Sequence, residues 1–189
     1  MRFERSSSRK QIMVKPIVIA IAAIPAIIAL LIAVPLLTKP DIPFSASTPS
    51  DTLEIEYTKH QLKKISFGIT DQVASEKTEI LLIENDGELK YTVTKEGYPQ
   101  PEITSKLSKE KLQKLTALIK ETGFIAIPSE SFPVKDSVTE YQKSNVKVTL
   151  NGQSKQIHWP QQNATEKFIP PIITMVESQL DEIIKEIIE

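Results

Sequence analysis

The side chains able to do chemistry are few. His60 and His158 are the only imidazoles, and cysteine is absent, which removes disulfides, thiolate nucleophiles, cysteine metal sites and lipid attachment at a processed N-terminal cysteine. A two-histidine metal site needs both rings together with a carboxylate, and the positions of His60 and His158 give no ligand spacing. Asn85-Asp86-Gly87-Glu88 carries part of a calcium-loop pattern but lacks its alternate-position carboxylates and distal glutamate, so a hairpin turn is the expected role. Glu54 and Glu56, and Glu130 between Ser129 and Ser131, are expected to face solvent. No Gly-x-Ser-x-Gly turn occurs. No catalytic residue, metal ligand or cofactor is therefore expected. One modification signal stands out: Asn163-Ala164-Thr165 is an N-glycosylation sequon, with a local turn or cap through the Asn163 side chain as the competing role.

Around these residues the chain is built on Pro16 to Leu37, an apolar run with no charged side chain. Its 22 residues make about 33 Å of helix, enough to cross a hydrocarbon core of about 30 Å. Arg2, Arg5, Arg9, Lys10 and Lys15 precede it against Glu4 alone, which predicts a cytoplasmic tail over residues 1–15 and everything after the span outside. The run is longer than a signal-peptide core and has no small-residue cleavage site close behind it, so a retained single-pass anchor in the cell membrane is expected. Pro25 should kink the helix. Ala22, Ala26, Ala29 and Ala33 share one face, the spacing of small-residue helix packing, and offer a route to self-association; alanine is also simply common in such helices. Residues 38–51, rich in proline, serine and threonine, read as a linker of up to about 50 Å.

From residue 52 the pattern changes to that of one folded domain. Leu53, Ile55 and Tyr57 alternate with polar residues, as do Ile65, Phe67 and Ile69; the KHQLKK between them reads as a turn, a bulge or part of one long bent strand. Asn85-Asp86-Gly87 and Asn151-Gly152 each separate two strand-like runs and predict hairpins. Trp159, in phase with Ile157, is expected inside, and His158 with Gln156 outside. Ser108 caps a helix with the stripe Leu112, Leu115, Leu118 and Ile119, stopped at Gly123; Phe124, Ile125 and Ile127 then suggest a short buried strand, and 129–142 a polar loop. A last helix starts at Pro170-Pro171, with Ile173, Val176, Leu180, Ile183, Ile184 and Ile187 facing in and Glu177, Asp181, Glu182 and Lys185 opposite. Its charges recur too often for a second span. The expectation is an α+β domain over 52–189: an antiparallel sheet of about five or six strands with two helices on one face.

A strand pair around Asp-Gly, then LSKEKLQKLTALIKETGFIAIP, a loop with Asp136, the hairpin YQKSNVKVTLNGQSKQIHW and a final Pro-Pro helix resemble the layout of small α+β domains of uncharacterised secreted or membrane-anchored proteins, archaeal in look. More distantly, residues 64 to 187 resemble the emfourin type of metalloprotease inhibitor. That family's Gly-rich Arg-Ser-Gly-Gly segment is not matched by ISFGITDQ, so no inhibitory residue carries over. After residue 41 the net charge is −5, which disfavours nucleic acid. The expected partners are the lipid bilayer and either another envelope protein or a protease. The expected role is that of a non-catalytic, membrane-anchored extracytoplasmic binding or envelope module, with a surface-displayed protease inhibitor as the alternative.

Overall fold

The computed structural model describes residues 47–68 and 70–189. The basic tail, the apolar span with its alanine face, nearly all of the linker and Ile69 lie outside the described residues. Among the described residues no helix is long and apolar enough to cross a membrane.

Seven antiparallel strands form one sheet: β1 (Leu53–Phe67), β2 (Thr70–Ile83), β3 (Glu88–Lys95), β4 (Tyr98–Pro99), β5 (Ile103–Lys106), β6 (Glu140–Leu150) and β7 (Gln153–Pro160). The order across the sheet is β4-β3-β2-β1-β6-β7, and β5 also pairs along the outer edge of β3. The two helices are α1 (Lys109–Glu121) and α2 (Pro171–Ile188). An α+β fold with an antiparallel sheet and two helices is thus what the residue pattern predicts, with β4 and β5 added.

The core lies on one face of the sheet. Leu53, Ile55 and Tyr57 of β1 join Leu81, Ile83, Leu89, Tyr91, Val146, Val148, Ile157 and Trp159 in a single buried cluster with the stripes of α1 and α2. On the other face Glu54, Glu56 and Lys147 are exposed. Alternate residues of a strand point to opposite faces, so this division follows directly from the period-two pattern.

Turn chemistry explains the connections. Asn151 (φ 50°) and Gly152 (φ 80°) carry the two successive positive φ angles of a type I′ hairpin between β6 and β7. Gly87 (φ 85°) closes the β2–β3 hairpin, its amide donating to the Glu84 carbonyl at 2.9 Å. Asp86 Oδ1 accepts from the Glu88 amide at 2.9 Å. Gly87 is also enclosed, since a Cβ there would lie 3.1 Å from the Leu107 carbonyl oxygen. Gly87→Ala should therefore lower stability by about 1–2 kcal/mol, read as a shift in urea midpoint.

Ser108 caps α1 by accepting from the Lys111 amide at 3.2 Å, and Gly123 adopts φ 65° where the helix stops. The three residues Phe124–Ala126 form a 3-10 turn rather than the expected strand. Only Phe124 of the three is buried there, because the turn continues the helix end instead of extending into a new sheet position. The loop before β6 is shorter than predicted, since Glu140 to Gln142 already belong to β6. It is also tied down, with Phe132 buried and Val134 bridged to Thr165.

KHQLKK is part of one long strand. The β1–β2 register slips between Gln61 and Leu62, leaving Glu76 as the extra residue of a bulge in β2. Beyond the bulge, β1 and β2 run on as an arm past the core: no described side chain from 60 to 80 belongs to the buried cluster. Ile65 (37% exposed) and Val73 (55% exposed) lie uncovered on it. Lys64–Asp71 (2.7 Å), Lys63–Glu76 (3.5 Å) and Lys63–Glu140 (2.7 Å) lace the arm across its strands.

Candidate functional site

A network of hydrogen-bonding side chains lies where the apolar core ends. Successive ranks cross the helix-covered face: Leu89, Ile83, Ile55 and Val148, then Tyr91, Leu81, Tyr57, Val146 and Ile157, and then Val93, Glu79, Lys59, Ser144 and Trp159. The third rank is polar, and α2 crosses it with two carboxylates pointing down. Trp159 Nε1 donates to Glu177 Oε2 at 3.1 Å, and Ser144 Oγ donates to Glu177 Oε1 at 2.6 Å. The Tyr57 hydroxyl donates to Asp181 Oδ1 at 2.9 Å and lies 3.5 Å from Glu177 Oε1. Lys59 Nζ reaches the same Asp181 oxygen at 2.9 Å. On the far side of Lys59, the Tyr91 hydroxyl donates to Glu79, which also pairs with Lys77 at 3.0 Å.

Glu177 therefore faces the sheet and does not lie opposite the stripe as the charge pattern of α2 suggests, while Asp181 bonds Tyr57 and Lys59 from the edge with its side chain still 41% exposed. The periodicity contains the reason. Glu177 stands four residues after Ile173, three before Leu180 and seven before Ile184, which places it within the inward stripe. A carboxylate is tolerated there because the tips of Trp159, Tyr57 and Ser144, all buried, each need an acceptor.

The electrostatics fit a set of fixed donors. Burial, reinforced by the negative charges of Glu177 and Asp181, pushes the Tyr57 hydroxyl far above its ordinary range. Burial and the hydrogen bond to Glu79 do the same for Tyr91. Burial alone would raise the Glu79 carboxyl, but the Tyr91 hydroxyl, Lys77 and Lys59 outweigh it and hold it below its usual value. Both tyrosines stay protonated, and both Glu177 oxygens are taken by the sheet. What this arrangement does is lock α2 onto the sheet.

The remaining chemistry-bearing residues are dispersed. His60 is at the base of the arm, its Nδ1 3.0 Å from Thr78 Oγ1, with burial and then Lys143 lowering its pKa. His158 is exposed on the opposite face of β7 from Trp159, as its alternation predicts. Glu84, Asp86 and Glu88 bring their carboxylates together at the β2–β3 turn, but Lys90 Nζ sits 2.7 Å from Glu84 and 3.2 Å from Glu88, and Lys106 lies 3.5 Å from Asp86. Two lysine ammonium groups thus offset two of the three carboxylate charges. Glu54, Glu56 and Glu130 are exposed.

Asn163 lies exposed in a 3-10 turn, Gln162–Ala164, whose backbone is held by Lys135 Nζ donating to the Asn163 carbonyl at 3.0 Å. The sequon hydroxyl is not similarly open: Thr165 is 2% exposed, and its Oγ1 accepts from the Lys167 amide at 3.3 Å. A glycan on Asn163 therefore has to be attached before this turn closes.

Where the chain enters the fold, Asp51 makes a second polar focus. Its side chain, 6% exposed, accepts from the Thr48 amide (2.6 Å), Asn151 Nδ2 (2.8 Å) and Lys120 Nζ (2.9 Å). Led by the Thr48 amide, these donors hold the Asp51 carboxyl well below its ordinary value near 3.8. The unfolded chain consequently takes up this proton first, so the stabilisation is complete above that ordinary value and is lost as pH falls through the lower folded one. Urea midpoints measured from pH 5 down to 2.5 should decline, and Asp51→Asn should flatten the low-pH part of that decline.

Among the described residues neither helix packs on the other face of the sheet, although Thr58 at its centre is buried. Across it run Thr92, Ile80, Thr58, Asn145 and His158, and beside them Lys90, Leu82, Glu56, Lys147 and Gln156. Ile80 and Leu82 form a small apolar island among threonines and alternating charges. A shallow cavity of about 290 Å³ lies at one end of this face, bordered by Glu54, Glu56, Leu82 and Lys147. No protein-family model matches the chain, and no curated protein is significantly similar to it in sequence.

Proposed function

We propose that this protein is a single-pass, N-inside membrane protein whose α+β domain is displayed outside the cytoplasm as a non-catalytic binding or envelope module. The anchor rests on the uncharged run Pro16 to Leu37 and the basic residues before it. The observation that carries the binding role is the one-sided sheet: among the described residues both helices pack on one face, and the other presents a shallow, mixed-charge surface that includes Ile80 and Leu82. A surface of that kind suits a protein partner better than a small molecule, which prefers a concave apolar pocket. Protease added to intact cells should remove a C-terminal tag, and Leu82→Arg should abolish cross-linking to other envelope proteins without changing the urea midpoint. Protection of the tag until the membrane is permeabilised defeats the topology, and unchanged cross-linking defeats the face.

The arm favours a second reading, inhibition of a protease. It projects two strands beyond the core with Ile65 and Val73 uncovered, the type of apolar protrusion that enters a protease cleft. Inhibition of a metalloprotease by the full chain, relieved by Val73→Asp, supports that reading; no inhibition at micromolar protein removes it.

A further inference from the structure

A second cavity, of about 320 Å³, lies beside the point where the chain enters the fold. Its apolar wall is made by Leu53, Leu107 and Leu112, and its rim by Lys106, Lys109 and Gln113. Ser47, Thr48 and Pro49 also border it, so the polypeptide runs along the cavity edge as it arrives. The Asp51 clamp fixes that path, because Thr48 is held to Asp51 while Asp51 is held to α1 through Lys120 and to the β6–β7 turn through Asn151.

We propose that this cavity is the docking site of the chain's own linker, with Phe44 seated against Leu53, Leu107 and Leu112. The argument is one of position and reach. The described chain begins at Ser47, on the cavity wall, and Phe44 is the first large apolar residue before it. Three residues span at most about 10 Å, so Phe44 is confined to the immediate neighbourhood of the cavity whatever path the segment takes. An aromatic ring held that close to a cavity lined by the buried Leu53 and Leu107 and the half-buried Leu112 gains by leaving water, and little chain entropy is lost because the tether is short. The consequence rests on the membrane reading above: the free tether shortens from residues 38–51 to residues 38–43, from about 50 Å to about 20 Å.

The absence of cysteine makes the test direct. In the full chain in detergent micelles, Gln113→Cys on the cavity rim and His158→Cys on the open face each provide a single thiol for a maleimide. Adding Phe44→Ala should speed labelling at position 113 by about tenfold and leave position 158 unchanged. Equal rates at 113 with and without Phe44 overturn the proposal, as does protection that survives Phe44→Ala or disappears on dilution, the latter marking a second copy as occupant. A rise at both positions marks general loosening and also counts against it. Labelling in detergent is independent of orientation, so its failure and that of the topology are separately visible.

Discussion

Trp159→Ala should lower the stability of the domain by about 3–5 kcal/mol, a loss of about 10–20 °C in Tm for a domain of this size. Trp159 is the largest fully buried side chain, 1% exposed, and it ends the core at the rank where α2 crosses β6 and β7. Its removal empties that volume and leaves the Glu177 carboxylate with one fewer donor. Because it is the only tryptophan, the wild-type protein carries its own reporter: emission should be blue-shifted when folded and move to the red on unfolding. A water-exposed emission spectrum in the native protein, or a loss below about 1 kcal/mol, would place the ring on the surface and refute the packing described here.

The second large effect is expected at Glu177. Glu177→Ala removes the acceptor of both the Trp159 indole and the Ser144 hydroxyl, two buried groups, and should cost about 3 kcal/mol. Glu177→Gln keeps one acceptor oxygen and should cost roughly half as much. Glu182, exposed on the same helix, supplies the comparison: Glu182→Ala should stay within about 0.5 kcal/mol. Urea denaturation of the three variants distinguishes a locking carboxylate from a surface charge, since similar small losses at 177 and 182 would show that the network contributes nothing. The Trp159→Ala and Glu177→Ala changes share one hydrogen bond, so the double variant should lose less than the sum of the two.

Residues with short-range signals reached their structural roles from sequence alone. Asn151-Gly152 and Asp86-Gly87 specify their turns because positive φ angles are costly for most side chains, and these residues tolerate them. Ser108 and Gly123 bound α1 through backbone groups a few residues away. The inward side of β7 is set by alternation alone, which is why Trp159 and His158 were separable. The two helical stripes likewise needed only their period.

Other features were decided by tertiary structure. The arm of β1 and β2 lies beyond the core, so nothing selects an apolar face there, and KHQLKK carries no period to read. β4 and β5 are short and wholly exposed, formed by pairing along β3 and not by burial. The central place of β1 between β2 and β6 depends on contacts about a hundred residues apart in sequence, and strand order has no local signature. Glu177 shows the division within one side chain. Its spacing placed it in the inward stripe, and its charge argued for solvent; only the buried donors of Trp159 and Ser144, brought under it by the sheet, decided between them.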